Sequence, residues 1–139
     1  MMYTYNARVV KVVDGDTVDL DIDLGFGVVL RKQRGRLWGI NAPESRTRDK
    51  AEKKRGLAAK NRLRDILSLN NNELCFISKE KGKYGRYLVQ LFVKELDTIN
   101  DEIKTKLEVI SFQSDKIIYD VNSALVLEGH AVRYFGGKR

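Results

Sequence analysis

The feature that most constrains the fold is a run of strict alternation from Val18 to Leu24. Four apolar residues alternate there with three aspartates, Asp19, Asp21 and Asp23. Successive side chains of a β-strand point to opposite faces, so the run predicts a half-buried strand. Its apolar side chains belong to a core, and its carboxylates belong to the solvent face.

The neighbouring segments predict two further strands. Tyr3–Val13 is the first, and Asp14-Gly15-Asp16 supplies the turn into the alternating run. Gly25-Phe26-Gly27 forms the next loop, after which Val28–Ile40 returns as a long strand with a basic middle. Short connections join neighbouring antiparallel strands, so these segments predict an antiparallel meander.

The rest of the chain predicts two helices and three strands. Asp49 is an expected N-cap for an amphipathic helix that runs to Ser68. Asp120 is expected to cap a short helix from Val121 to Glu128, which Gly129 ends. The remaining strands are expected at 74–79, 86–93 and 131–135, and the second of them is apolar on both faces and therefore central.

This order of elements predicts an α+β fold, an OB-fold with a five-stranded antiparallel β-barrel and two helices. A length of 139 residues suits a single domain over 1–139. Residues 94–116 are charged and weakly periodic, and we expect an insertion there. It is either a hairpin extension or a surface segment with a helix around 100–107.

The net charge of +7 is concentrated in one part of the chain. Residues 31–64 carry thirteen Lys or Arg against three Asp or Glu, a net +10, so the remainder sums to −3. A concentrated basic segment is typical of proteins that bind polyphosphates, although a solvated helix face has the same composition. The expected partner is DNA or RNA, and no obligate protein partner is inferred.

Other classes of protein are disfavoured. Cys75 is the only cysteine, which excludes an intrachain disulfide or a cysteine-rich zinc site, and we expect it to be buried. No stretch of about 18 apolar residues exists that could span a bilayer, and the first residues lack the pattern of a signal peptide. The chain as written is expected to be cytoplasmic, without a membrane partner.

Arg36, Glu44 and Arg86 are the residues most suited to chemistry on a phosphate. A guanidinium offers a planar fork that matches two phosphate oxygens. A carboxylate nearby can accept a proton from an attacking water or orient it. Each also has an ordinary interpretation, as a surface arginine or a turn-capping acid. Only their combination favours cleavage of a phosphodiester.

Other candidates are less specific. Asp14 and Asp16 lie outside the alternating pattern, and carboxylates in a tight turn are ligands for hard cations such as calcium. Tyr84 and Tyr134 are candidates for stacking on bases, whereas we expect Phe135 in the core and His130 in a structural role.

Four motifs in order resemble the staphylococcal-nuclease-like domain, also called the thermonuclease domain. The motifs lie at 14–17, 36–44, 83–86 and 122–129. The first of them is Asp-Gly-Asp-Thr, and the third is Lys-Tyr-Gly-Arg. The resemblance covers about 3–93 and 117–135. It implies an OB barrel with helices and a calcium-dependent nuclease that cleaves DNA and RNA with little sequence preference, leaving 3′-phosphate ends.

The resemblance also assigns roles to individual positions. Arg36 and Arg86 match the phosphate-binding arginines, and Glu44 matches the proposed general base. The metal positions match Asp16, Asn41 and the backbone carbonyl of Ala42, and the nucleic-acid contacts match Lys83, Tyr84 and, loosely, Tyr134. Where the best-known member has a second ligand aspartate this chain has Asn41, and Ala42 replaces a threonine. One anionic ligand is thus replaced by a neutral amide, which should weaken the calcium site.

The leading hypothesis is a metal-dependent, sequence-nonspecific nuclease, with calcium as the expected metal. The first alternative is a catalytically impaired OB-fold module that binds single-stranded nucleic acid, and Asn41 is the residue that favours it. A second alternative is a protein-interaction domain, for which the acidic-leaning 94–116 segment is the only indication. It predicts no salt-sensitive binding of nucleic acid.

Overall fold

The computed structural model describes residues 3–81, 87–94, 108–113 and 116–135, with side chains within 3–79, 87–93 and 120–135. Nine strands and two helices lie in these ranges. The strands are β1 (Thr4–Asp14), β2 (Thr17–Gly25), β3 (Val28–Leu37), β4 (Ile40–Asn41), β5 (Glu73–Lys81), β6 (Tyr87–Lys94), β7 (Glu108–Gln113), β8 (Lys116–Asp120) and β9 (Val132–Arg133). The helices are α1 (Lys50–Ser68) and α2 (Val121–Leu127).

Five of the strands close into a barrel. β1 pairs with β2 and β5, β2 pairs with β3, and β5 pairs with β6, all of them antiparallel. The barrel closes where β3 and β6 pair in parallel, with Gly35 opposite Tyr87 and Leu37 opposite Val89. The predicted five-stranded OB-fold with two helices is therefore confirmed, and the closing pair is its one parallel ladder among the described barrel strands.

The alternation in β2 has the predicted effect along most of its length. Val18, Leu20 and Ile22 are buried in the barrel, whereas Leu24 is exposed because it lies at the hairpin tip beyond the core. The outward carboxylate of Asp19 accepts two hydrogen bonds from Arg34 on β3. That contact raises the pKa of the Arg34 guanidinium above its ordinary value. Asp21 likewise pairs with Arg31 of β3 at 3.3 Å, whereas Asp23 accepts a hydrogen bond from the Gly25 N–H at the hairpin turn.

The predicted strand from Val28 to Ile40 is interrupted. β3 ends at Leu37, and a turn at Trp38 and Gly39 separates it from β4. Gly39 has φ +79°, a backbone conformation that side-chain-bearing residues rarely adopt. The turn redirects the chain so that β4 pairs with β9 instead of continuing the barrel ladder. The single long strand was therefore a wrong prediction at its carboxyl end.

Both helices begin where their caps were predicted. The Asp49 carboxylate accepts hydrogen bonds from the backbone N–H groups of Ala51 and Glu52. Asp120 accepts from the N–H of Ser123, and Gly129 follows α2 with φ +80°. Capping satisfies backbone groups that a helix cannot pair internally, which explains why the two boundaries could be located from sequence.

A buried asparagine joins α2 to the barrel. Asn122 accepts a hydrogen bond from the Leu91 N–H at 3.0 Å through Oδ1. Its Nδ2 donates to the carbonyls of Trp38 at 2.8 Å and Val89 at 3.1 Å. One side chain thus links the helix, the central strand β6 and the turn after β3. It holds together the elements that carry the site described below.

The segment 94–116 is described in part. β7 pairs antiparallel with β8, which itself pairs with β6 and extends the sheet. This arrangement agrees with the hairpin alternative, whereas the alternative helix around 100–107 lies outside the described residues. Among the described ranges, neither helix is long and apolar enough to cross a membrane.

Candidate active site

Asp16 is a buried acid at the turn between β1 and β2, and only 4% of it is exposed. Its Oδ1 accepts a hydrogen bond from the Thr17 hydroxyl, and its Oδ2 accepts from the Ala42 N–H, both at 3.0 Å. A buried carboxylate is tolerated only where hydrogen bonds or opposite charge compensate the lost hydration. Asp16 therefore joins the first turn to the segment that follows β4.

Arg36 lies opposite Thr17 in the β2–β3 ladder, which places its guanidinium beside Asp16. Its Nη2 donates to Asn41 Oδ1 at 3.3 Å and lies 3.8 Å from Asp16 Oδ2. The guanidinium carbon lies 5.5 Å from the centre of the Tyr134 ring, in a cation–π contact. With 14% of its side chain exposed, Arg36 is a fixed cation instead of a mobile surface arginine.

Two oxygen donors converge on this point. Asp16 Oδ2 and Asn41 Oδ1 both face the same nitrogen of Arg36. A carboxylate with an amide oxygen is a donor set for hard cations such as calcium or magnesium. In the part of the chain that the structure describes, no group of three or more His, Cys, Asp or Glu side chains could hold a metal. The described residues thus place one anionic side chain, Asp16, and one neutral amide oxygen, that of Asn41, beside the Arg36 guanidinium.

Glu44 lies in the loop of residues 42–49, called here the Glu44 loop, and its side chain is exposed. The next residue, Ser45, is buried, and its N–H donates to Asp14 Oδ1 at 3.1 Å. The Ser45 hydroxyl donates to the same oxygen. Asp14 thus anchors the loop directly beside Glu44. Sequence reasoning missed this role, because it treated Asp14 only as a candidate metal ligand.

Helix α1 holds the same loop from the other side. The loop backbone approaches Gly56 so closely that a Cβ there would overlap the Glu44 carbonyl and lie 2.6 Å from the Ser45 nitrogen. A Cβ at Gly15, in the first turn, would similarly lie 2.6 Å from the Ala59 Cβ. The helix therefore sets the positions of both the Asp16 turn and the Glu44 loop. A glycine within a predicted helix was the sequence signal for this close approach.

Aromatic side chains border the site. Trp38 and Phe135 meet edge to face with ring centres 5.2 Å apart, and Lys79 Nζ lies 4.7 Å from the centre of the Trp38 ring. Phe135 is 68% exposed, so its predicted place in the core was wrong. The turn at Gly39 explains the difference, because it brings β4 to β9 and leaves Phe135 against that turn on the surface.

The structure brings together five of the predicted site residues: Asp16, Arg36, Asn41, Ala42 and Tyr134. Glu44 lies two residues beyond Ala42 on the anchored loop. Lys83, Tyr84 and Arg86 lie outside the described residues, so their roles remain predictions. The described residues thus supply one half-buried guanidinium, a pair of oxygen atoms beside it and an exposed carboxylate on the adjacent loop.

A surface groove of about 720 Å³ lies elsewhere on the barrel. Its lining includes Asn6, Asp21, Phe26 and Cys75, and it contains none of the described site residues. Cys75 is half-buried there instead of buried as predicted, and its thiol lies 3.9 Å from the Phe92 carbonyl. This groove therefore lies apart from the candidate active site.

Comparison with known proteins agrees with this arrangement. No curated protein matches the chain closely enough to count as a relative. The sequence profile of the family described as staphylococcal nuclease homologue matches residues 34–139, a span that contains Arg36, Asn41 and Glu44. That span is well over half of the chain, and the closed five-stranded barrel with two helices is the fold expected for it. The chain therefore belongs to the staphylococcal nuclease homologue family.

Proposed function

We propose that this protein is a metal-dependent, sequence-nonspecific nuclease that hydrolyses phosphodiester bonds of DNA and of RNA. The observation that carries the proposal is the fixed Arg36 guanidinium beside Asp16 and Asn41, next to the anchored Glu44 loop. Family membership supports a nuclease-like, nucleic-acid-binding module. Substrate class and reaction are inferred from the chemistry of these side chains.

Arg36 is suited to stabilise a phosphoryl transition state. Negative charge accumulates on the non-bridging oxygens as water attacks phosphorus, and a guanidinium placed there stabilises it. Asp16, Asn41 and Tyr134 hold Arg36 before substrate arrives, so little reorganisation is needed when the charge develops. Arg86, which the resemblance assigns to the same phosphate, would add a second guanidinium.

Glu44 is the expected proton acceptor. Its carboxylate takes a proton from the attacking water, or orients that water, while the new oxygen–phosphorus bond forms. The bond from phosphorus to the leaving sugar oxygen breaks, and that oxygen takes up a proton from solvent. The anchoring of Ser45 by Asp14 fixes the backbone from which Glu44 extends. With the backbone fixed, the carboxylate reaches the attacking water by rotation of the exposed Glu44 side chain alone.

Asp16, Asn41 and the Ala42 carbonyl are the expected ligands of a divalent cation, with calcium as the first candidate. When bound, the cation would supply positive charge to one phosphate oxygen. Asn41 lowers the negative charge of this donor set relative to two carboxylates, so we expect weak binding of the cation.

The test is degradation of plasmid DNA, single-stranded DNA and RNA with calcium, magnesium, manganese or a chelator. Arg36→Ala should lower the rate by about 10³-fold or more, since a transition-state arginine contributes that much in phosphoryl transfer. Arg34→Ala is the matched control, two residues away on β3 and paired with Asp19 at the surface. Equal loss of rate in both variants would contradict the assignment of Arg36.

A second candidate function is a nucleic-acid-binding module without catalysis. Asn41 favours it, because the described residues hold one carboxylate at the point where Arg36 is bound. A gel shift without cleavage in any of the three metals would support this module and would refute the nuclease.

A further inference from the structure

Helix α1 carries a line of cations on one side. Lys50, Lys53, Lys60 and Arg64 follow one another around Leu57 at intervals of three and four residues, and we call this set with Leu57 the basic stripe. Residues at such intervals lie on the same face of a helix. With a rise of about 1.5 Å per residue, the stripe is about 21 Å long.

The basic stripe lies apart from the core face of α1. Gly56, Ala59, Leu63, Ile66 and Leu67 are the buried residues of the helix. By contrast, Lys50, Lys53 and Arg64 are exposed, Leu57 is 41% exposed, and Lys60 is half-buried. Lys50, Lys53 and Arg64 therefore face solvent, and Lys60 is partly covered by the protein.

The stripe borders the candidate active site. Lys53 and Lys60 stand three residues before and four residues after Gly56, so both are neighbours of Gly56 on the helix surface. Gly56 is the point at which the helix backbone meets the Glu44 carbonyl and the Ser45 nitrogen. One end of the proposed reaction site and the middle of the stripe are thus adjacent on the molecule.

Among the described residues, no ion pair neutralises these cations. The five ion pairs among the described residues include none of the four, and Arg64 contacts only an amide, with Nη1 3.3 Å from Asn61 Oδ1. A cation such as Arg62 is different, since it donates to Glu128 at 2.7 Å and links α1 to the end of α2. The charge of the stripe is available to an external anion.

We propose that the basic stripe is a phosphate-tracking surface that holds a nucleic-acid strand beyond the scissile phosphate, on the Glu44 side of the site. Duplex DNA has a phosphate about every 3.4 Å of axis per strand. A 21 Å stripe therefore spans about six phosphates of one strand. The inference rests on the proposed function for its ligand class, but it concerns binding and can be tested without cleavage.

The test is binding of a labelled single-stranded oligonucleotide and a labelled duplex in chelator, across a series of salt concentrations. Each phosphate contact contributes about 0.7 to the slope of log K against log salt for single strands and about 0.9 for duplex. The double variant Lys53→Gln, Lys60→Gln should reduce the magnitude of this slope by about 1.4 for the single strand and by about 1.8 for the duplex. It should weaken binding at 0.15 M salt by at least about fivefold.

The matched control is the double variant Arg55→Gln, Lys11→Gln. It also removes two positive charges, but from exposed positions outside the basic stripe. Its slope should stay close to that of the wild type. An equal loss in both double variants, or no loss in the stripe variant, would overturn the proposal. An unchanged Tm verifies that each variant is folded.

The two proposals can fail separately. If the wild-type protein binds DNA with a stripe-dependent salt slope but cleaves nothing, the nuclease fails and the stripe stands. If Arg36→Ala removes cleavage while the stripe variant binds as the wild type does, the stripe fails and the nuclease stands. In the active protein, the stripe variant should raise KM and leave kcat unchanged, because it removes binding that is equal in ground and transition states.

Discussion

Gly56→Ala is the sharpest test of the idea that helix α1 positions the Glu44 loop. The new methyl group would overlap the Glu44 carbonyl and lie 2.6 Å from the Ser45 nitrogen, whereas ordinary contact begins at 3.4 Å. Both neighbours are backbone atoms, so a change of rotamer cannot relieve the overlap. The loop or the helix has to move by about 1 Å.

Two opposing effects set the change in the free energy of unfolding. Alanine is favoured over glycine inside a helix by about 1 kcal/mol, whereas forcing extra volume into a packed site costs about 1–3 kcal/mol. The net result should be a loss of about 0–2 kcal/mol. The effect on catalysis should be larger, because a displacement of about 1 Å at a reacting group can lower the rate by about 10²-fold.

Urea unfolding and steady-state kinetics on single-stranded DNA measure the two effects. Ala58→Gly is the matched control, since it changes helix propensity at an exposed position two residues away. It should lower stability by about 1 kcal/mol and leave kcat unchanged. A Gly56→Ala protein that is about 1 kcal/mol more stable and has wild-type kcat would refute the reasoning. The stability result alone decides whether the overlap is real, even if no cleavage is found.

Three further predictions concern individual side chains. Asn41→Asp should lower the divalent cation concentration for half-maximal cleavage by about tenfold, because it adds a second carboxylate beside Asp16; a metal titration measures this, and an unchanged midpoint would contradict the ligand assignment. Asn122→Ala should lower the free energy of unfolding by about 3–5 kcal/mol in urea, since three hydrogen bonds of a buried side chain are lost. A loss below about 1 kcal/mol would disprove its linking role. Asp14→Ala should lower stability by about 1–3 kcal/mol and reduce kcat more than KM changes, because the buried Ser45 N–H loses its acceptor; wild-type kcat would show that the loop needs no such anchor.

Much of the local structure was predictable from sequence for identifiable reasons. The alternating run located β2, and the caps Asp49 and Asp120 located the starts of both helices. These signals depend on side-chain periodicity and on local hydrogen bonds, which neighbouring residues alone determine. The same locality explains the errors at Gly39 and Phe135. A turn that depends on packing between β4 and β9 leaves no periodic pattern in the sequence.

The sequence by itself determined the types of residue available for chemistry: a guanidinium and a carboxylate eight residues apart, preceded by an acidic turn. Only the tertiary structure decided how they meet. Asp16 accepts a hydrogen bond from the N–H of Ala42, which lies 26 residues away in the sequence, and Asp14 accepts one from Ser45, which lies 31 residues away. The lack of a side chain at Gly56 allows the backbone of the Glu44 loop to contact α1. Such contacts depend on barrel closure and on helix packing, which place distant segments within hydrogen-bonding distance. The physical reason is that local patterns specify which face of an element is buried, whereas the packing of all elements specifies which atoms touch.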